Sequence, residues 1–230
     1  MGGTEPQEAA ADKPAINTLT EAERAAGWRL LFDGESLDGW RGYRMEGVPA
    51  GWSVTDGTIH FVPPTEGKRG DLITVESWAD FELSLEWAVT PGGNSGIFFR
   101  VSEDGEATYH TGPEVQVLDN AGHADGKSPL TSAGSNYALH APPSDATRPL
   151  GEFNEVFLRV EGDRVSHSLN GEATVEYTLW DADWEARVAA SKFAQWPGYG
   201  RNTTGHVALQ DHGNEVWFRN LKIRVLGNAD

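Results

Sequence analysis

The feature that most constrains this chain is a strict period of two. In FELSLEWAV, residues 81–89, Phe81, Leu83, Leu85, Trp87 and Val89 alternate with Glu82, Ser84, Glu86 and Ala88. A helix scatters such a set around its circumference. A strand puts the two halves on opposite faces, so the segment reads as a half-buried strand. The same habit recurs in WRLLFD (28–33), WSVTD and TIHFV around Gly57, DLITV (71–75), SGIFFRV (95–101) and PEVQVLD (113–119). NEVFLRVEG (154–162), RVSHSLNG (164–171), ATVEYTL (173–179), HVALQDH (206–212) and EVWFRNLKIRVL (215–226) extend it. Asp56-Gly57, Gly162-Asp163 and Asn170-Gly171 fall between consecutive runs and predict tight hairpins.

Many short strands with turn signals between them predict an all-β fold, a jelly-roll sandwich of two antiparallel sheets. Two helices are expected beside it. Thr20 and Glu23 form a capping-box pair for a short one. In DADWEARVAASKF (181–193), Trp184, Val188, Ala189 and Phe193 share a helical face that packs on the sandwich edge. With no central linker, residues 17–228 read as a single jelly-roll domain behind a flexible leader, 1–16. That small, polar leader suits the mature end of an exported protein, periplasmic or lipid-anchored. Residues 121–153, rich in Gly, Pro, Ser and His, are expected to form a rim or lid over a groove.

Composition narrows the function. Lys and Arg total 18 against 35 Asp and Glu, a net charge of −17 that repels nucleic acid and anionic membranes. The absence of cysteine removes disulfides, thiolate nucleophiles and Cys-based zinc sites. No run approaches the ~20 apolar residues of a transmembrane segment. There is no phosphate loop or dinucleotide fingerprint, and GGNSGI falls one place short of a serine elbow. Asn202-Thr203-Thr204 fits a glycosylation sequon.

The polar strand faces carry the candidate chemistry. Glu114 and Gln116 share one face of PEVQVLD; His206, Gln210 and His212 oppose Val207 and Leu209; Phe98 and Arg100 oppose Ile97, Phe99 and Val101. Gathered on one concave face, they predict a pocket of Arg100, Glu114, Gln116, Gln210 and His212, joined by Tyr137 and Trp196 from loops. Arg, Gln and aromatic groups suit the hydroxyls and pyranose faces of an oligosaccharide or glycoside. Ordinary glycosidases use two carboxylates. Here the second place on the strand is Gln116, an amide that takes up no proton at neutral pH. For a divalent cation the candidate ligands are His206, Asp211 and His212, His110 with Glu114, or Asp119 with His123.

Several linked motifs together resemble one family. They are GWRLLFDGESLDGW (27–40), WSV-x-DG (52–57), DFELSLEW with GGNSGIFFR (80–100) and GPEVQVLDN (112–120). GEFN (151–154), HSLNG (167–171) and HVALQDHGNEVWFRNLKIRVL (206–226) continue them. In order and spacing they are similar to the 3-keto-disaccharide hydrolase family, from about Asn17 to Leu226. The resemblance implies a concanavalin-A-like jelly roll and cleavage of glycosides oxidised to a ketone at carbon 3. It carries over Arg100, Glu114, Gln116, Gln210 and His212 as site positions, with Asn94, Ser95, Asp119 and His167 beside them. Tyr137, Lys192 and Trp196 are added from more variable segments.

That chemistry works with one carboxylate. The ketone acidifies the carbon-2 proton, a base removes it, and the aglycone departs from carbon 1. Glu114 or His212 is then the base, the other protonating the leaving oxygen. Gln116, Gln210 and Arg100 hold the oxygens, with a divalent cation as replacement or reinforcement. Two other readings stand beside it. One is a non-catalytic carbohydrate-binding module. The other is an ordinary two-carboxylate glycosidase, should Glu86 or Asp119 reach the groove.

Overall fold

The computed structural model describes residues 15–227; nearly all of the expected leader lies outside them. The strands are β1 (Trp28–Leu30), β2 (Trp40–Gly42), β3 (Trp52–Thr55), β4 (Thr58–Phe61), β5 (Leu72–Thr74), β6 (Phe81–Val89) and β7 (Asn94–Val101). After them come β8 (Glu114–Leu118), β9 (Asn154–Glu161), β10 (Arg164–Leu169), β11 (Glu172–Thr178), β12 (His206–Leu209) and β13 (Val216–Val225). Two α-helices accompany them, α1 (Glu21–Ala25) and α2 (Ala182–Ala190). Thr20 and Glu23 close the expected capping box at α1.

The strands form two antiparallel sheets. The larger runs β11-β10-β9-β6-β13-β4-β3, with β1 also on β13; the smaller runs β2-β5-β12-β7-β8. Asp56 and Gly57 both have positive φ, as do Asn170 and Gly171. Those pairs give the two-residue turns whose twist matches the flanking strands. Phe81, Leu83, Leu85 and Trp87 of β6 meet Ile97, Phe99, Val115 and Val117 of the smaller sheet in one core. The alternate residues of β6 face outward, where Glu82 pairs with Arg159 and Arg224, and Glu86 with Arg219.

The smaller sheet's outer face has an apolar patch of its own, built from Tyr43, Ile73, Phe98, Val101 and Ala208. One irregularity shapes it. Phe98 pairs with Ala208 but Val101 pairs with His206, so Phe99 and Arg100 together oppose Val207. Arg100 sits at φ +50 in this bulge. The extra residue reverses the in–out parity.

The 121–153 stretch is ordered, with 3₁₀ turns at Ala124–Lys127 and Pro129–Thr131. Its 134–137 part lies along β8: Gln116 N donates to Ser135 O, Gly134 N to Gln116 O and Tyr137 N to Glu114 O. It covers an open sheet edge and walls the outer face on that side. On helix α2, Trp184 and Val188 are buried as expected, whereas Ala189 is exposed. The helix stops at Ala190, and Phe193 is buried from a following 3₁₀ turn, Lys192–Gln195. Stacking of Tyr177, Trp184, Tyr199 and Phe193 pins that turn, with 3.9 Å between the last two rings.

Candidate active site

Register across the smaller sheet defines the site. Gln116 pairs with Gly96, Gln210 N donates to Gly96 O, and Leu209 pairs with Leu72 just before the next outward positions. Gln116, Gly96, Gln210 and Asp71 therefore make one row across β8, β7, β12 and β5. The neighbouring row, beside Glu114, is Phe98, Ala208 and Ile73. A polar row thus lies against an apolar one. Above it opens a groove of about 660 Å³, lined by Asp71 and Gln210 with Tyr43, Tyr109, Arg69 and His212.

Glu114 leans from its own row over Gly96. A Cβ on Gly96 would sit 2.1 Å from Glu114 Oε1, so only glycine leaves room for the carboxyl. The side chain is buried. With its amide nitrogen turned toward Glu114, Gln116 donates to Glu114 Oε1 at 3.1 Å and to Ser95 O at 3.1 Å. Burial pushes the Glu114 carboxyl up to about 8; the Lys192 ammonium opposes that rise, and Asp71 and Asp125 reinforce it. Lys192 Nζ lies 4.3 Å from the Tyr137 ring centre and 5.8 Å from that of Tyr109. The Tyr137 hydroxyl donates to Asp125 Oδ2 at 3.2 Å.

Asp71, absent from the sequence-based set, is the second carboxylate here. Its Oδ1 accepts from Asp211 N at 2.9 Å and its Oδ2 from the Thr108 hydroxyl. Burial moves it up to about 6, while both donors pull the other way. Tyr109 and Tyr43 are the aromatic groups facing the groove, and they too were missed. Asp71 was detectable as the outward neighbour of Ile73 in DLITV; the tyrosines lie outside any long alternating run.

The other expected positions divide. Gln210 lines the groove, and its Oε1 is buried without a partner. His212 stands exposed at the rim, its ring centre 6.0 Å from that of His123. Gln116 and Asn94 are buried behind Glu114, their amides 3.3 Å apart, so they support the carboxyl from beneath. Four placements differ from expectation. Arg100, turned by the bulge, is buried and donates to Ala79 O, Asp80 Oδ1 and Gly162 O at the far end of β7. Ser95 points inward, its hydroxyl donating to Gln210 O at 2.8 Å. His167 shares the core side of β10 with Val165 and Leu169, where burial lowers it to about 3 and keeps it neutral. Trp196 stacks on His110 at 4.4 Å and lines a separate hollow behind Tyr109.

The remaining expected carboxylates and ligands have partners of their own, Asp211 within the groove lining and the others away from it. Glu86 belongs to the opposite face, and Asp119 accepts from Gly92 N and Ala121 N. Asp211 is held by Arg69, and His206 Nδ1 lies against Glu76 O. Among the described residues no three His, Asp or Glu side chains converge as a metal site. The sequon amide of Asn202 donates to Arg100 O. No helix among the described residues is long and apolar enough to cross a membrane.

Comparison with known proteins sets this site in context. Residues 27–224 match the family of 3-keto-alpha-glucoside-1,2-lyase-like domains. A 3-keto-disaccharide hydrolase of Bacteroides thetaiotaomicron is 38% identical over 88% of this chain and 79% of its own length. A candidate glycosyl hydrolase of Parabacteroides distasonis, solved by crystallography, superposes with a TM-score of 0.85 at 34% identity, covering 93% of this chain and all of that one. A Bacillus subtilis protein with a galectin-like fold superposes at 0.53 with 14% identity, covering 92% and 94% of the two chains, and so shares the architecture alone.

Proposed function

This chain belongs to the 3-keto-alpha-glucoside-1,2-lyase-like family, and from that premise we propose that it is a hydrolase of 3-keto-glycosides that works by elimination and rehydration. The observation that carries the reading is Glu114. It is a buried carboxyl with a raised proton affinity and no ion-pair partner among the described residues, braced by Gln116 and leaning over Gly96, the strand neighbour of Gln210, which lines a sugar-sized groove. Such a group is poised to move a proton near neutral pH.

The C3 ketone makes the C2 proton acidic. Its removal gives an enediolate, and the C1–oxygen bond then breaks with release of the aglycone. Water adds back across C1 and C2, so the net result is hydrolysis. That order reconciles a lyase-like family with a relative named a hydrolase. The enediolate needs nearby donors and positive charge. The Gln210 amide in the groove lining supplies a donor, and the Lys192 ammonium, held between Tyr109 and Tyr137 and acting on Glu114, supplies positive charge. Tyr109 and Tyr43 line the groove and add aromatic surface beside the ring.

Asp71 gives a specific reason to weigh an ordinary two-carboxylate glycosidase as well, because it shares the groove. The purified protein, given a 3-keto-disaccharide and its unoxidised parent with and without chelator, separates the two. Cleavage of the keto form alone is expected. Equal cleavage of the parent would replace elimination by direct displacement, and loss of activity with chelator would assign a divalent cation to the enediolate.

A further inference from the structure

The geometry points to Asp71 as the second proton-transfer group of this site, standing across Gln210 from Glu114. The inference rests on the keto-glycoside reading above and assigns the acid and the base within it. The Glu114 carboxyl lies over Gly96 on β7, and the Asp71 carboxyl reaches the end of β12, where Asp211 N binds it. The two therefore flank the Gln210 position. With neighbouring strands ~4.8 Å apart, they stand about 5–10 Å from each other. A pyranose lying over Gln210 presents C2 and the glycosidic oxygen on adjacent carbons, one toward each carboxyl.

Their surroundings divide the work. Both Asp71 oxygens accept hydrogen bonds, from a main-chain N–H and a hydroxyl, and such donors favour the charged form. Asp211, a neighbouring carboxylate that raises the proton affinity of Asp71, is itself paired with Arg69. Glu114 is more deeply enclosed, with the Gln116 amide as its donor, and burial favours its protonated form. Two carboxyls whose environments push them apart are the usual mark of an acid and base pair. Asp71 is the carboxylate that takes the C2 proton, and Glu114 is the acid that protonates the departing oxygen.

The step balances. The C2–H electrons move toward the C3 carbonyl; as the enediolate collapses, the C1–O bond breaks and its oxygen takes the Glu114 proton. The products are the free aglycone and a 2-hydroxy-3-keto glycal. In the return half, ionised Glu114 takes a proton from water, the hydroxide adds to C1, and Asp71, which has exchanged its proton with solvent through the open groove, delivers one to C2. Both carboxyls finish as they began, with one water consumed.

Leaving-group dependence tests this with the full chain. Cleavage is measured on a 3-keto-disaccharide, on 4-nitrophenyl 3-keto-glucoside, whose phenolate departs without a proton, and on unoxidised 4-nitrophenyl glucoside. For Glu114→Gln the disaccharide rate should fall about 10²–10⁴-fold while the nitrophenyl rate stays within about tenfold of wild type. For Asp71→Asn both keto rates should fall together. Near-normal rates for Asp71→Asn overturn the assignment of Asp71, and a mirrored split overturns the division of roles. Wild-type cleavage of the unoxidised glucoside alone instead overturns the keto-glycoside reading beneath it. If Asp71→Asn does not fold, Thr108→Val decides: loss of a donor to the carboxylate should move the acid limb of the pH profile upward, and an unmoved limb contradicts a base at Asp71.

Discussion

The sandwich has two outer faces, and acids point outward from both. On the larger sheet, Glu82 and Glu86 stand on β6 under arginines: Arg159 and Arg224 hold the first, Arg219 the second. On the smaller sheet, Glu114 and Asp71 are bound by uncharged donors, an amide for one, a main-chain N–H and a hydroxyl for the other. The charges are nominally alike, but their surroundings differ. A carboxylate paired with arginine contributes structure; one enclosed without a cation at contact distance has its proton affinity raised and can exchange a proton near neutral pH. The difference shows why counting acids on strands does not locate a site.

Exchanging a carboxyl for its amide on each face tests the contrast most strongly. Glu114→Gln should lower turnover of a 3-keto-disaccharide about 10²–10⁴-fold with the circular dichroism spectrum unchanged. Glu86→Gln, on the other face, should leave turnover within about twofold of wild type and cost about 1–2 kcal/mol of stability in a urea melt. Equal losses of activity from the two variants would erase the distinction between the faces.

Gly96→Ala comes next. The added methyl group must displace the Glu114 carboxyl, since the two would stand 2.1 Å apart. Misplacement of about 1 Å is worth ~10²-fold in rate. A steady-state assay showing no loss would mean that the carboxyl works from another position.

Stability against pH offers a third test. Burial raises Glu114 in the folded chain to about 8 from the 4.5 of an unburied carboxyl, so the folded state holds its proton more tightly. That contribution is complete below about 4.5 and is lost as pH rises through about 8. Asp71 acts in the same direction between 3.8 and about 6. Urea melts should therefore show Glu114→Gln gaining on wild type as pH rises from 5 toward 9. Parallel curves would deny the raised proton affinity.

The smallest effect is expected at Gln116→Leu. Removing the amide that donates to Glu114 takes away support for the charged form and raises the carboxyl further. As the acid of the pair, Glu114 must be protonated to act, so the alkaline limb of the rate profile should move to higher pH. A limb that stays put would make Gln116 a packing residue only.

Much of this architecture was legible in the sequence. Period two set the strands, and the parity of Glu114 with Gln116, and of Gln210 against Leu209, put these groups on the face opposite the core. The failures have physical causes. Arg100 was assigned to the groove because alternation was carried through a bulge that no glycine within its own run marks; Phe99 and Arg100 share one partner, and the face is lost there. His167 and Ser95 entered through motif resemblance, although their parity with Val165 and Leu169, and with Ile97 and Phe99, already placed them inside. Asp71 escaped because its strand is three residues long and turns only the buried Ile73 to the outer face beside it. Trp196 looked like a sugar platform, but its stacking partner is His110, in another loop of this chain.

The central claim is that cleavage proceeds through loss and return of the carbon-2 proton, and cleavage in heavy water tests it most directly. The enzyme is given a 3-keto-disaccharide in D₂O, and the released 3-keto sugar is examined by NMR beside free product incubated alone. Elimination and rehydration predict one deuterium at C2, well above the level in that control. Product that is cleaved in full yet carries only protium at C2 would mean direct displacement at C1, and would contradict the roles given to Glu114 and Asp71.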